Sequence, residues 1–321
     1  REWFRTSGLL ERHPFTPEQR ADFERYEGKA QGFRILTRLQ NPANPGLQLT
    51  SAVLATFTKY PRPSYLEDGL DGKSGKKFGF FQQDAEAFQR VARSTGLIER
   101  IPNTAWRRHP LAFLVEVADD TCYLIVDLED AAKLGFVPYK DAECLLADLA
   151  GNTVSGRRLE RLHDPKERLE YLRAKAIGCL LESAAAVFLE NEEAILAGDF
   201  DDELLDRSPI AVPLQAILRL AKETIYNARP ALEIETAGFE VLGALLGLFT
   251  HAVESRAGHG SFSTRERMLL KLLPAQFMGH GGEPHADPYI RLLQVADFVA
   301  GMTDSYAVDM YRKLKGFDLP T

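Results

Sequence analysis

Asp119, Tyr123 and Asp127, spaced four apart, stand in the run from His109 to Ala131, HPLAFLVEVADDTCYLIVDLEDA. On one helix with Asp119 as the reference direction, Tyr123 lies roughly 40° away, Asp127 roughly 80°, Asp130 roughly 20° and Glu116 roughly 60°, at about 100° per residue. The pattern is a file of carboxylates with a phenol set among them. The rest of the circumference is mostly Leu114, Val115, Val117, Ala118, Cys122, Leu124, Ile125, Val126 and Leu128. Such a helix is expected in a core, with its acidic strip facing an internal cleft. Carboxylates held there are costly unless paired, hydrogen-bonded or bound to a cation. An amphipathic helix with a wet acidic edge satisfies the same periodicity.

The elements that must position this strip are helices. Thr16 to Leu39 reads as one helix, with Thr16 as N-cap and Pro17 at the first helical position. Leu49 to Lys59 is a second, ended by Pro61 and Pro63. Arg62 to Lys77 turns to Gly, Pro, Ser and charge and reads as a mobile loop. Helical patterns follow at Asp84 to Thr95, along the acidic helix to Gly135, and at Tyr139 to Leu149. Pro165 to Ala197 is the longest pattern, stopped by Gly198; Ile210 to Asn227 and the nearly uncharged, hence central, Ile234 to Arg256 come next. Arg265 to Leu273 is short, and Tyr289 to Leu314 closes the chain as one helix. Strand signals are scarce, so the fold class is all-α, a multi-helix bundle over residues 1–321.

A chain of 321 residues with 45% hydrophobic content can bury a large core. A net charge of −7 argues against a generic nucleic-acid surface while leaving room for local basic pockets. Cys122, Cys144 and Cys179 have no zinc-type spacing; Cys122 and Cys179 sit in apolar runs and read as small core residues of a reducing compartment. No stretch of about 18 residues lacks a charge, so no membrane span is expected, and a cytoplasmic protein is the default.

The acidic run resembles the signature helix of the deoxyguanosinetriphosphate triphosphohydrolase family, a branch of the HD-domain phosphohydrolases. The resemblance extends through YEGKAQGFRILTRL (Tyr26 to Leu39), LTSAVLATFTKYP (Leu49 to Pro61), KKFGFF (Lys76 to Phe81), LRAKAIGCLL (Leu172 to Leu181), AKETIYN (Ala221 to Asn227), the helix around Gly238 to Phe249, and VADFVAGMTDSYAVDMYRKL (Val295 to Leu314). It implies an HD-type bundle and a metal-dependent dNTP triphosphohydrolase, dGTP-preferring or broad, that releases deoxynucleoside and inorganic triphosphate. It also implies a homo-oligomer, with a hexamer among the assemblies it allows. The family holds its metal by an early His, a His-Asp doublet in an HDxGHPPFGHxGE-like segment, and a later Asp. Only the later Asp has a counterpart here, Asp119, and REWF at Arg1 is similar to the helix that follows the doublet segment.

By that resemblance Asp119 is a ligand of a divalent ion such as Mn²⁺ or Mg²⁺, which suits a hard carboxylate oxygen. Tyr123 would pack where a 2′-hydroxyl projects, and Asp127 would accept from the 3′-hydroxyl. Lys59 and Tyr60 of KYP would contact phosphate, and Lys77 of GKKFGFF would add positive charge. No general acid or base is assigned, since the family's groups lie in the segment without a counterpart. Ser305 stands where the family usually has Arg, and Lys29 where Asn is common; Gly301 reads as a packing glycine. His163–Asp164, followed by Pro165, and GHGGEPH (Gly279 to His285) echo metal motifs out of order and are set aside. His109 reads as a cap or support, and Arg107 and Arg108 as solvated. Two other functions stay open: a catalytically inactive dNTP-sensing oligomer component, and an HD phosphohydrolase acting on another phosphate ester.

Overall fold

The computed structural model describes residues 1–41, 44–258 and 262–317. Its helices, in chain order, begin with α1 (Glu2–Thr6), α2 (Pro17–Glu24), α3 (Gly28–Arg34), α4 (Ser51–Phe57) and α5 (Ala85–Thr95). Next come α6 (Ala112–Thr121), α7 (Asp127–Lys133), α8 (Tyr139–Ala150), α9 (Gly156–Leu159), α10 (Pro165–Glu190), α11 (Glu192–Ala197) and α12 (Ala211–Leu220). The last are α13 (Arg229–Ala257), α14 (Thr264–Leu272), α15 (Pro288–Ala300) and α16 (Asp304–Lys315). Among the described residues the sheet is limited to an antiparallel pair, β1 (Glu99–Ile101) and β2 (Ala105–Trp106). The chain is an all-α, HD-like bundle, as expected.

Capping chemistry sets many of the boundaries. Thr16 and Gln19 exchange side-chain and backbone hydrogen bonds in a capping box at α2, and Ser263 and Glu266 do the same at α14. Asp164, half of the HD doublet, caps α10 by accepting from the Lys166 amide at 2.9 Å. Several expected single helices are broken. The Thr16–Leu39 segment turns at Arg25–Glu27, because Glu27 adopts an extended backbone as the N-cap of α3. Pro165–Ala197 divides at Asn191, which leaves α13, at 29 residues, longer than α10. The last helix divides at Gly301, which is the C-cap of α15 rather than a contact between helices; the Thr303 hydroxyl then starts α16 by accepting from the Tyr306 amide.

The core falls into four apolar clusters. One joins α6–α8, α10 and α12 around Leu128, Leu146 and Leu172. A second joins α13 to α14, α15 and α16. A third packs α1 and α2 on α15, and a fourth surrounds Phe33, Phe88 and Trp106. Helix α13 is long and apolar enough, by length and composition, to cross a membrane. Its second half is core, with Leu245, Phe249 and Ala252 buried; its first half, residues 229–240, is solvent-facing, so the uncharged segment is central over only part of its length. The Arg62–Lys77 loop is tied down: the buried Arg62 donates to the Gly75 carbonyl at 2.8 Å, and Ser74 binds Asp201.

Candidate active site

The acidic helix is continuous but not uniform. Between α6 and α7, Cys122–Val126 is a π segment. The Thr121 hydroxyl donates to the Val117 carbonyl at 2.8 Å and so competes for an acceptor in the helical ladder where the widening begins. A turn closed by i→i+5 bonds advances less than 100° per residue, which draws Asp119, Tyr123 and Asp127 closer to one line than a regular helix does. Only one side of the helix is core: Phe113, Glu116, Val117, Ile125, Leu128 and Glu129 are buried. Leu114, Val115, Ala118 and Cys122 face solvent, against the expectation of packing on all remaining sides, and Cys122 is therefore not a core residue. Cys144 is exposed and Cys179 half-buried.

Asp119 is half-exposed, and the Lys29 ammonium stands 3.1 Å from its carboxylate. The break before α3 presents Lys29 to Asp119, with Glu27 two residues earlier turned to Lys77. Among the described residues no three His, Cys, Asp or Glu side chains converge as a metal site. The donors at hand do not fit a metal ion by themselves, since they amount to one carboxylate already neutralised by a lysine.

Lys59 lies just past the C-terminus of α4, and its ammonium ion-pairs with Glu116, one turn before Asp119. Burial works against the charged lysine, but the Glu116 contact outweighs it and the pKa rises. Arg108 grips the other Glu116 oxygen at 3.0 Å and also binds Asp201 at 3.1 Å. Its guanidinium stacks 4.0 Å from the Phe113 ring centroid. Arg108 is thus buried structure, not the solvated residue its sequence context suggests. Tyr60 is buried beneath Lys59, whose ammonium is 5.6 Å from its ring; burial raises the phenol pKa. Burial, and then the Glu116 charge, pushes Asp120 up to about 6. Sequence reasoning passes over Asp120, for which the Asp119–Asp120 doublet is the one signal.

Tyr123 is 58% exposed, its ring open to any molecule laid along the helix. Asp127, one turn on, has its pKa raised by burial. The Tyr226 hydroxyl reaches both, 3.4 Å from an Asp127 carboxylate oxygen and 3.4 Å from the Tyr123 carbonyl. Tyr226 directly follows another π segment, Ala221–Ile225, which packs on α7. In the sequence it stands out only as part of AKETIYN.

Lys77 does not join this group. It pairs with Glu27 at 3.3 Å in a neighbouring pocket that neither Lys59, Tyr60 nor Asp119 lines. Gly79 lets its segment approach the Lys59–Pro61 turn, since a Cβ there would collide with the Tyr60 carbonyl. His109 accepts from the Leu111 amide at 3.2 Å and contacts the Thr56 hydroxyl at 3.1 Å, a capping role; burial lowers its pKa. In GHGGEPH, Glu283 pairs with Arg256 and His285 accepts from the Asp287 amide. Asp304, Ser305 and Tyr306 are exposed.

Residues 262–313 match the phosphohydrolase-associated domain. A deoxyguanosinetriphosphate triphosphohydrolase-like protein of Synechocystis sp. is 42% identical over 94% of this chain and 68% of its own length. A protein of the same description from Pseudomonas aeruginosa is 33% identical over 100% of this chain and 72% of its own. A deoxyguanosinetriphosphate triphosphohydrolase of Yersinia enterocolitica is 27% identical over 92% of this chain and 64% of its own.

Proposed function

We propose, from the premise that this chain belongs to the deoxyguanosinetriphosphate triphosphohydrolase family, that it binds deoxynucleoside triphosphates, dGTP-preferring or broad, and takes part in releasing inorganic triphosphate from them. One observation carries this reading: Tyr123 and Asp127 follow Asp119 along one face of a π-widened helix, and the Tyr226 hydroxyl reaches that face.

The sugar lies on the Tyr123 ring, where a 2′-hydroxyl would collide or go unpaired, so deoxyribose is favoured. Asp127 accepts from the 3′-hydroxyl, and Tyr226 holds that carboxylate in place by donating to it. Lys59 and Tyr60 face the phosphates, with Glu116 and Arg108 fixing the ammonium's position. Lys77 adds positive charge from the adjoining pocket. Asp119 is the one metal ligand proposed from these residues; joined by further ligands it would help hold a Mn²⁺ or Mg²⁺ ion, which would supply Lewis acidity toward phosphate. The chain acts as one helical domain of a cytoplasmic homo-oligomer, and the exposed Ile234 and Phe239 of α13 support burial against another copy.

A dNTP-sensing component without turnover is the second reading, favoured by the Lys29–Asp119 pair. The test is an assay of the complete protein with all four dNTPs and rNTPs, products resolved. Deoxynucleoside and intact triphosphate, a dNTP preference of about a hundredfold or more, and silence of Asp119→Ala are expected. Orthophosphate or pyrophosphate as product, or equal rNTP turnover, overturns the enzyme reading. Binding of dNTPs without any product selects the sensor.

A further inference from the structure

The Lys59 ammonium is held from a distance. Glu116, buried on α6, is shared between two cations: Lys59 pairs with one oxygen, and Arg108 donates to the other at 3.0 Å. Arg108 is shared in turn. Its second terminal nitrogen binds Asp201 at 3.1 Å and the Asp202 carbonyl at 3.0 Å, while its buried Nε has no hydrogen-bond partner among the described residues. A guanidinium placed for its own satisfaction would not leave a buried donor unmet; this one is placed to bridge two carboxylates. Asp201 is itself set by a turn. The Ser74 amide and hydroxyl donate to it at 3.3 and 3.1 Å. Gly72, at φ +87°, lies so close that a Cβ would stand 2.0 Å from an Asp201 carboxylate oxygen. The charges therefore alternate from the turn to the site: Asp201, Arg108, Glu116, Lys59.

We infer that Asp201 is a positioning residue for Lys59: through Arg108 it decides how much of the Glu116 carboxylate is left to hold the lysine, and the turn at residues 72–74 decides where Asp201 stands. With Asp201 in place, Arg108 is divided between two acids and Glu116 keeps its grip on the ammonium. Without it, Arg108 falls wholly to Glu116, and the lysine is released toward its neutral form and toward an incoming anion. Three other groups lie near enough to act on Lys59 or be acted on by it: Tyr60 beneath it, Glu203 from the same segment as Asp201, and Asp120, one turn on from Glu116. Their pull does not pass through Arg108, and Glu203 is drawn off by Lys73 at 3.4 Å. The bearing of this relay on function rests on the phosphate role proposed for Lys59.

The test is trace acetylation of the complete protein with acetic anhydride at about pH 8, read lysine by lysine by mass spectrometry. Asp201→Asn keeps the shape and an acceptor for Ser74, and the Cβ of Gly72→Ala pushes the carboxylate aside. Each should raise the Lys59 rate about threefold. Lys133, paired with the buried Glu129 at 3.1 Å, is the reference and should not change. The gain should fade as the pH rises, because a charge effect ends once the amine is deprotonated, whereas exposure raises the rate at every pH. An unchanged Lys59 in both variants, a gain shared by Lys133, or a gain that persists at alkaline pH overturns the relay. Failure of the phosphate role reads differently: a deoxynucleoside triphosphate added in EDTA would then not protect Lys59 in wild type, with the variant series unaffected.

Discussion

Helix α3 ends in one polar environment and begins in another, and the two are built differently. At its C-terminal end the buried Arg34 donates to both Asp297 oxygens at 2.8 Å and to Asp84 at 3.1 Å. Gln31 adds a bond to Asp297 at 3.0 Å, and the Tyr26 hydroxyl binds Gln31 at 2.7 Å. Every charge there has several partners and almost no water. At its N-terminal end Lys29 meets a half-exposed Asp119 through one contact, on a helix whose other neighbours, Tyr123 and Tyr226, touch at 3.4 Å or stand open. The closed network fixes where α3 sits against α15, and the open one is what that fixing serves. Saturated polar groups hold position; under-committed ones are left for a ligand.

Breaking the closed side should have the largest effect. Arg34→Met leaves Asp84 and Asp297 buried without their shared cation, and a loss of about 3–5 kcal/mol in urea unfolding is expected. A loss below about 1 kcal/mol would mean the network is ornament. On the open side, Tyr226→Phe removes a long hydrogen bond to Asp127 and leaves the ring. Stability should stay within about 0.5 kcal/mol. Turnover of dNTPs, as kcat/KM, should fall about tenfold, or about 1.4 kcal/mol. The two regions would not differ as described if that variant unfolded as readily as Arg34→Met or kept full turnover. Lys29→Asn sharpens the contrast from the other side. It frees the Asp119 carboxylate, and metal affinity of the complete protein, read by titration of Mn²⁺, should rise about fivefold, or about 1 kcal/mol.

Local chemistry explains how much of this was legible beforehand. Caps and breakers act over a few residues, so Thr16, Pro17, Gly198 and the boundaries of α5 and α8 could be read directly. So could the acidic file, because its spacing is a property of the helix itself. The π segments at Cys122 and Ala221 could not, since one extra residue in a turn is settled by packing and by Thr121. Nor could the break before α3: Glu27 and Lys29 are drawn to Lys77 and Asp119, which are 50 and 90 residues away along the chain. Arg108 reads as a surface charge until Glu116 and Asp201 are brought to it. Leu114 and Val115 read as core until the face they occupy is found open. The break before α3 and the burial of Arg108 depend on partners distant in sequence.

Asp22 lies between the two extremes. It is buried like Asp297 but incompletely served: one oxygen accepts from the Tyr289 hydroxyl at 2.6 Å and the Gln82 amide at 2.9 Å, and the other has no partner. Burial pushes its pKa up to about 6 from 3.8. A raised folded-state pKa means that the native chain holds the proton to higher pH than the unfolded chain does. Its ionisation therefore costs stability progressively from about pH 4 to about pH 6, with the penalty constant above that. Asp22→Asn keeps an acceptor for Tyr289 and Gln82 and never ionises, although its amide group needs an acceptor that the carboxylate did not. The stability of the variant relative to wild type should therefore climb by about 2 kcal/mol between pH 4 and pH 7.5 in urea unfolding. A difference that is flat or falls with pH would place Asp22 with the saturated network of Arg34, and the boundary between closed and open polar groups would have to be redrawn.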